Sequence, residues 1–227
     1  MDTTYLDPLD DSRPSLTLIW MHGLGADGTD FENFREELEQ FGGLNNVRLV
    51  LPTAPMRTIT AMNLDMHAWY DLREETISSD SADQDIEGMD ASIDLIQALI
   101  DKERAERPDT PIWLGGFSQG AAMALLVGFE QLQRLAGIIA FSGYVPAHPR
   151  FDEISDVARQ TPVFMAHGTL DSVISIATAR EGLEKLNKAG ASVEFYDYPM
   201  MHEVCPDEIS DLADFIEAHQ ANEGESL

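Results

Sequence analysis

The five residues Gly116-Phe117-Ser118-Gln119-Gly120 constrain this chain more than any other feature, because the segments on either side leave them few conformations. Residues 111–115 form an apolar run suited to a strand, and residues 120–127 form an apolar run suited to a buried helix. A serine joining two such elements sits on a sharp turn with a strained backbone. Its neighbours two positions away must be tiny, so that strand and helix can approach. Ser118 then stands at a helix N-terminus, where free N–H groups and the helix dipole favour a developing oxyanion. The bland alternative is a glycine-rich turn without chemistry, and the strand–helix context favours a nucleophile elbow.

The rest of the chain fits that context. Short apolar runs at residues 16–21, 47–51, 112–115, 137–141, 162–166 and 193–196 alternate with helical patterns. This is the signature of a mostly parallel sheet covered by helices on both faces. Phe31, Phe34, Leu38 and Phe41 recur at helical spacing, with Thr29 or Asp30 as cap and Gly42-Gly43 as stop. Ile86, Met89, Ile93, Ile96 and Ile100 predict a long helix ending before Pro108, and residues 176–189 predict another closed by Gly190. A last helix starts at Pro206. Residues 1–227 are read as one domain with no separate cap, and residues 1–13 and 221–227 as loosely held tails. Residues 55–82 stand apart as a long connection carrying Met62, Met66, Trp69, Tyr70 and Leu72, too apolar for disorder.

Composition narrows the partners. With 41 acidic against 14 basic residues the net charge is −27, which disfavours phosphate backbones and anionic lipid surfaces. Nucleic acid and stable membrane insertion are therefore not expected, and the charge serves either solubility or adaptation to high salt. The single Cys205 suits a reducing compartment, and Met1 is followed by acidic residues rather than by a signal sequence, so a cytoplasmic location is expected. There is no H-E-x-x-H and no cysteine pair, so no metal site is predicted.

A serine hydroxyl needs a base, and the base needs an orienting carboxylate. Of the later histidines, His202 follows the strand at 193–196 and precedes a helix start, as a base reaching over the sheet edge should. His148, in a Pro-Ala-His-Pro loop, reads as a surface residue, and His219 as a solvated or dipole-pairing residue late in the last helix. Asp171 follows the strand at 162–166 and supplies the acid, although a turn or cap aspartate would look the same in isolation. Strand 16–21 runs into His22-Gly23-Leu24-Gly25, which offers the Leu24 N–H as an oxyanion donor beside that of Gln119. The run 23–28 also echoes a phosphate loop, but Asp27 and Asp30 oppose that reading. Trp69 and the apolar residues near it are expected to wall an acyl groove, with Leu24 and Val173 opposite, and burial of Trp69 in the core is the competing expectation.

These motifs, together with Leu51-Pro52-Thr53-Ala54-Pro55, Trp69-Tyr70-Asp71, Phe141-Ser142-Gly143-Tyr144, His167-Gly168-Thr169-Leu170-Asp171 and His202-Glu203-Val204-Cys205-Pro206, resemble the phospholipase/carboxylesterase family of α/β-hydrolases over roughly residues 15–220. The resemblance implies an α/β-hydrolase fold and a Ser118, Asp171 and His202 triad with Leu24 and Gln119 as oxyanion donors. It implies no cofactor and, in many members, a homodimer. The implied activity is hydrolysis of short- to medium-chain carboxylic esters, with acyl-protein thioesterase or lysophospholipase activity as the alternative. A peptidase or lactone hydrolase on the same fold, and a non-catalytic binding module, are the rival classes. Ala121 and Met201 replace glycines common in relatives.

Overall fold

The apolar runs pair as strands because each is covered on both faces. The computed structural model describes residues 1–8, 12–74, 83–151 and 154–224. Its elements are β1 (Thr3–Leu6), β2 (Leu16–Met21), α1 (Phe34–Gly42), β3 (Val47–Pro52), β4 (Met56–Ile59), β5 (Leu64–His67), α2 (Ile86–Glu106), β6 (Ile112–Phe117), α3 (Gln119–Glu130), β7 (Gly137–Phe141), α4 (Asp156–Gln160), β8 (Pro162–Gly168), α5 (Ile176–Ala189), β9 (Ser192–Tyr198) and α6 (Pro206–Gly224). Seven strands form one sheet in the order β1-β3-β2-β6-β7-β8-β9, parallel except for the antiparallel edge strand β1. This is the α/β-hydrolase architecture.

Alternation along β2 shows how the two layers form. Leu18 and Trp20 pack with Phe34 and Leu38 of α1 and with Leu212 and Ile216 of α6. Ile19 and Met21 pack with Met89, Ile93 and Ile96 of α2 and with the apolar stretch Ala121–Val127 of α3. The chain leaves β2 in one direction to reach β3, then passes to the other side of β2 to form β6. Because parallel crossovers are right-handed, this reversal sends α1 to one face and α2 and α3 to the other. It also opens a crevice beyond the carboxyl ends of β2 and β6, where open α/β sheets bind ligands.

Several local expectations change. The N-terminus is not a loose tail over residues 3–6. Thr3-Thr4-Tyr5-Leu6 has the β-branched and aromatic character of a strand and pairs with residues 49–52. Asp7 then ion-pairs with Arg48, and the Tyr5 ring lies under Arg48 and Lys102. The expected start of α1 is instead a 3-10 turn at Gly28–Phe31 capped by Asp27, whose carboxylate accepts from the Thr29 N–H at 2.8 Å. The long connection contains a hairpin, β4–β5, with Asn63 at positive φ in its turn, and residues 75–82 of it lie outside the described residues. α6 extends to Gly224, so part of the expected C-terminal tail is helical, and residues 225–227 lie outside the described residues. His148 is not at the surface. Its loop packs down so that the ring is buried, with Nε2 at 3.5 Å from Asp90 Oδ1 of α2.

One buried ion pair ties β3 to α2. Arg48 donates to Glu103 at 2.9 and 3.1 Å, and both side chains are almost fully buried. Removing one member leaves an uncompensated interior charge, so Glu103→Ala is expected to lower the unfolding free energy by about 3–5 kcal/mol. Asp7→Ala, which removes the exposed third member, is expected to cost less than about 1 kcal/mol. Urea titration of both variants measures the difference.

Candidate active site

The elbow has the geometry its glycines require. Ser118 sits at φ 56° and ψ −116°, between β6 and α3. Its N–H donates to Phe141 O at 2.9 Å, which anchors the turn on the neighbouring strand. A Cβ on Gly120 would lie 2.1 Å from Met21 O, and one on Gly116 would lie 2.5 Å from Gly120 O. Only glycine lets α3 press against the end of β2. As the first residue of α3, Gln119 has no acceptor for its N–H within the helix.

The loop after β2 is held by neutral polar groups. Ala54 N–H donates to His22 Nε2 at 3.0 Å, so the ring proton is on Nδ1, which donates to Gly23 O at 2.7 Å. Burial pushes the His22 pKa down, which keeps this donor–acceptor arrangement neutral. Trp69 Nε1 donates to His22 O at 2.9 Å, and Gly25 N–H donates to His67 O at 2.9 Å. The Gln119 side chain completes the frame, accepting from Trp69 N–H and donating to Tyr70 O, both at 2.9 Å. Sequence reading placed Gln119 by its backbone alone. The role of its side chain depends on residues about 50 positions away.

Asp171 and His202 come from the loops after β8 and β9. Asp171 Oδ1 accepts the N–H groups of Val173 and Ile174 at 2.8 and 2.9 Å. Its Oδ2 accepts from His202 Nδ1 at 2.7 Å, leaving His202 Nε2 as the ring's remaining acceptor. His167, which sequence reading left without a role, donates from Nε2 to Ile174 O at 2.8 Å and lies 3.4 Å from Asp171 Oδ2. Burial lowers its pKa, so this second imidazole is neutral and leaves the Asp171 charge available to His202. The two loops are stitched by Thr169 N–H to Tyr198 O and Leu170 N–H to Met200 O. Gly168 is required here, since a Cβ would meet Met201 O at 2.3 Å.

Ser118, Gln119, Leu24, Val173 and His202 line one cavity of about 580 Å³, within the range that encloses a small ligand. Phe31, Met62, Leu72, Phe117 and Tyr144 supply its apolar lining. Trp69 is not among the lining residues. Its indole is fully buried behind the His22 loop, so its competing role in the core is the one observed, and Met62 and Leu72 form the wall expected of the long connection. Among the described residues no three His, Cys, Asp or Glu side chains converge as metal ligands would.

A profile of the phospholipase/carboxylesterase family matches residues 10–220. The chain belongs to that family. It is 33% identical to acyl-protein thioesterase 1 of Mycosarcoma maydis over 233 residues, covering 96% of each chain. The crystal structure of Arabidopsis thaliana SOBER1 superposes with a TM-score of 0.82 at 26% identity, covering 90% of this chain and 98% of that one. The crystal structure of Zea mays acyl-protein thioesterase 2 gives 0.80 at 27% identity, covering 96% and 99%.

Both departures from the family's common glycines have a structural setting. Ala121 points its methyl at Gly143, where an added Cβ would approach to 2.5 Å, so the missing side chain on Gly143 makes room for the extra one on Ala121. Met201 is 57% exposed, and its N–H donates to Glu203 Oε1 at 3.3 Å. It is not among the cavity-lining residues, so it does not narrow the cavity.

The His202 loop runs directly into α6, where the Glu208 carboxyl is fully buried near the Cys205 N–H, without a hydrogen bond of normal geometry to either oxygen. Burial pushes its pKa well above the usual carboxylate value. A raised folded-state pKa means that stability is full at pH values below the unfolded carboxylate value and is lost as pH rises toward the folded one. Glu208→Gln removes this proton requirement. It is expected to raise Tm at pH 7–8 and to have no effect at pH 4, read from melting curves of both proteins.

Proposed function

We propose that this carboxylic ester hydrolase is a serine hydrolase that transfers an acyl group from an ester or thioester to water through Ser118. The observation that carries the reading is the 2.7 Å hydrogen bond from His202 Nδ1 to buried Asp171, in a cavity that His202 shares with the strained Ser118. Ser118 Oγ attacks the acyl carbonyl while His202 Nε2 takes its proton, and Asp171 stabilises the imidazolium that forms. The N–H groups of Leu24 and Gln119 receive the oxyanion. Collapse of the tetrahedral intermediate returns the proton to the departing alcohol or thiol and leaves an acyl-Ser118 ester. Water, deprotonated by His202, then releases the carboxylic acid.

The acyl group fits the apolar part of the cavity, lined by Leu24, Phe31, Met62, Leu72 and Val173. Each methylene that enters it gains up to about 0.8 kcal/mol, or roughly fourfold in kcat/KM, until the lining ends. Acyl thioesters are favoured over simple esters as the natural donors because relatives matching most of the chain are acyl-protein thioesterases. Lysophospholipids are the second donor class that the family description supports. No helix among the described residues is long and apolar enough to cross a membrane. A cytoplasmic location and a homodimer complete the proposal.

Ser118→Ala is expected to abolish fluorophosphonate labelling and to lower kcat by at least about 10³-fold, and Asp171→Asn by about 10²–10⁴-fold, with far-UV circular dichroism unchanged. Retention of a tenth of wild-type turnover by either folded variant refutes the assignment. Measuring kcat/KM for C2 to C16 thioesters and esters ranks the donors, and a rise with chain length that stops before C16 is the expected outcome.

A further inference from the structure

His167 is a buried imidazole that the acyl-transfer steps leave unused. It occupies the next-to-last position of β8 and is 1% exposed. Its Nε2 lies 2.8 Å from Ile174 O and 3.4 Å from Asp171 Oδ2. A carbonyl only accepts, so Nε2 carries a proton and donates it to Ile174 O. His167 is not among the residues that line the catalytic cavity, so it is no second base for the substrate.

The contact reaches the acid through Ile174. Asp171 Oδ1 accepts the Val173 and Ile174 N–H groups at 2.8 and 2.9 Å, which seats the carboxylate on that short segment. Ile174 is in turn held from both sides, its N–H on Asp171 and its carbonyl on His167. His167 is fixed in the sheet, opposite Asp197 of β9, so it ties the segment back to β8. With Oδ1 seated in this way, Oδ2 faces His202 Nδ1 at 2.7 Å.

The chemistry of an imidazole suits this place. Among the described residues, the cationic or protonatable side chains within 4.0 Å of the Asp171 carboxylate are His167 and His202. A lysine or arginine at position 167 would set a permanent charge against Asp171 and weaken its hold on a forming imidazolium. Burial pushes the His167 pKa down, so the group it offers is a neutral N–H.

We propose that His167 is a positioning residue for the catalytic acid: its Nε2–H fixes Ile174, and through Ile174 the Asp171 carboxylate, in the orientation that His202 uses. This rests on the reading of Ser118, Asp171 and His202 as a hydrolytic triad. Acylation and deacylation both pass through an imidazolium at His202, so loss of His167 slows both. It leaves substrate binding unchanged.

Hydrolysis of 4-nitrophenyl butyrate by His167→Leu and His167→Gln, each alone and combined with Asp171→Asn, tests this. The glutamine amide can present an N–H where Nε2 stands, and leucine cannot. His167→Leu is expected to lower kcat about 10–100-fold with KM within about twofold of wild type. His167→Gln should keep kcat within about threefold of wild type. In the Asp171→Asn background His167→Leu should cost less than about twofold more, because the carboxylate it positions is gone. A residue that serves only the fold costs the same factor in both backgrounds. Proton NMR gives a second readout: the low-field His202 Nδ1–H resonance should persist in His167→Gln and disappear in His167→Leu. Leucine leaves the buried Ile174 O without a donor, so if that variant does not fold, His167→Asn replaces it, polar but too short to reach.

Wild-type kcat in a folded leucine or asparagine variant overturns the positioning role. So does an equal loss in both backgrounds, or a folded glutamine variant as slow as the leucine one. Failure of all three variants to fold assigns His167 to the fold and overturns it too. These outcomes leave the hydrolase reading standing. No turnover by the wild-type enzyme, or an Asp171→Asn variant as fast as wild type, overturns the triad reading and the role of His167 with it.

Discussion

The contact between the start of α3 and the end of β2 is the constraint from which the site follows. Gly120 has no Cβ, and one placed there would overlap the carbonyls of Met21 and His22. Because the helix can close to that distance, its unsatisfied N–H groups stand beside the loop that leaves β2. The same approach forces the chain to turn at Ser118 with positive φ, a conformation that a non-glycine residue holds only where its surroundings over-determine it. Here those surroundings are the Ser118 N–H bond to β7, the buried length of α3 and the packed strand β6. The strained serine at the cavity wall and the free N–H groups at the start of α3 thus arise from one close contact.

Around that contact the interior is polar but nearly uncharged. His22 and His167 are buried with lowered pKa values, and each has its ring protons directed by a backbone carbonyl. The Gln119 amide is satisfied at both ends, and the indole N–H of Trp69 is used to fix His22 O. Satisfied networks of this kind rigidify a site, because any displacement leaves a buried donor or acceptor unpaired. The carboxylate beside His202, Asp171, is surrounded by donors rather than by cations. Among the described residues that line the cavity, the acidic side chains are Asp30 and Glu74, and both are exposed.

What could be read from the sequence was whatever is encoded over a few adjacent residues. The elbow, the Asp171 loop and the His202 loop each consist of a strand end followed by a short turn, so chain order and turn chemistry located them. Helix stops at Gly43 and Gly190 were legible for the same reason, since both adopt the positive φ that glycine permits. Residues 3–6 were hidden because acidic neighbours mask a strand whose partner is β3, and the strand is fixed by pairing rather than by its own composition. His148 was misplaced because a proline-flanked histidine looks solvated until α2 brings Asp90 to it.

The sequence by itself determined the parallel sheet, the strained serine between strand and helix, and the strand-end loops that carry Asp171 and His202. Each depends on local backbone geometry, which neighbouring residues dictate. Tertiary structure alone decided that Trp69 belongs to the frame and Met62 and Leu72 to the wall, since an apolar residue in a long loop has the same composition in either place. It also decided that Gln119 holds its loop by its side chain and that His167 lies against Asp171. Those outcomes depend on which distant segments the sheet order brings together, and no window along the chain contains that information.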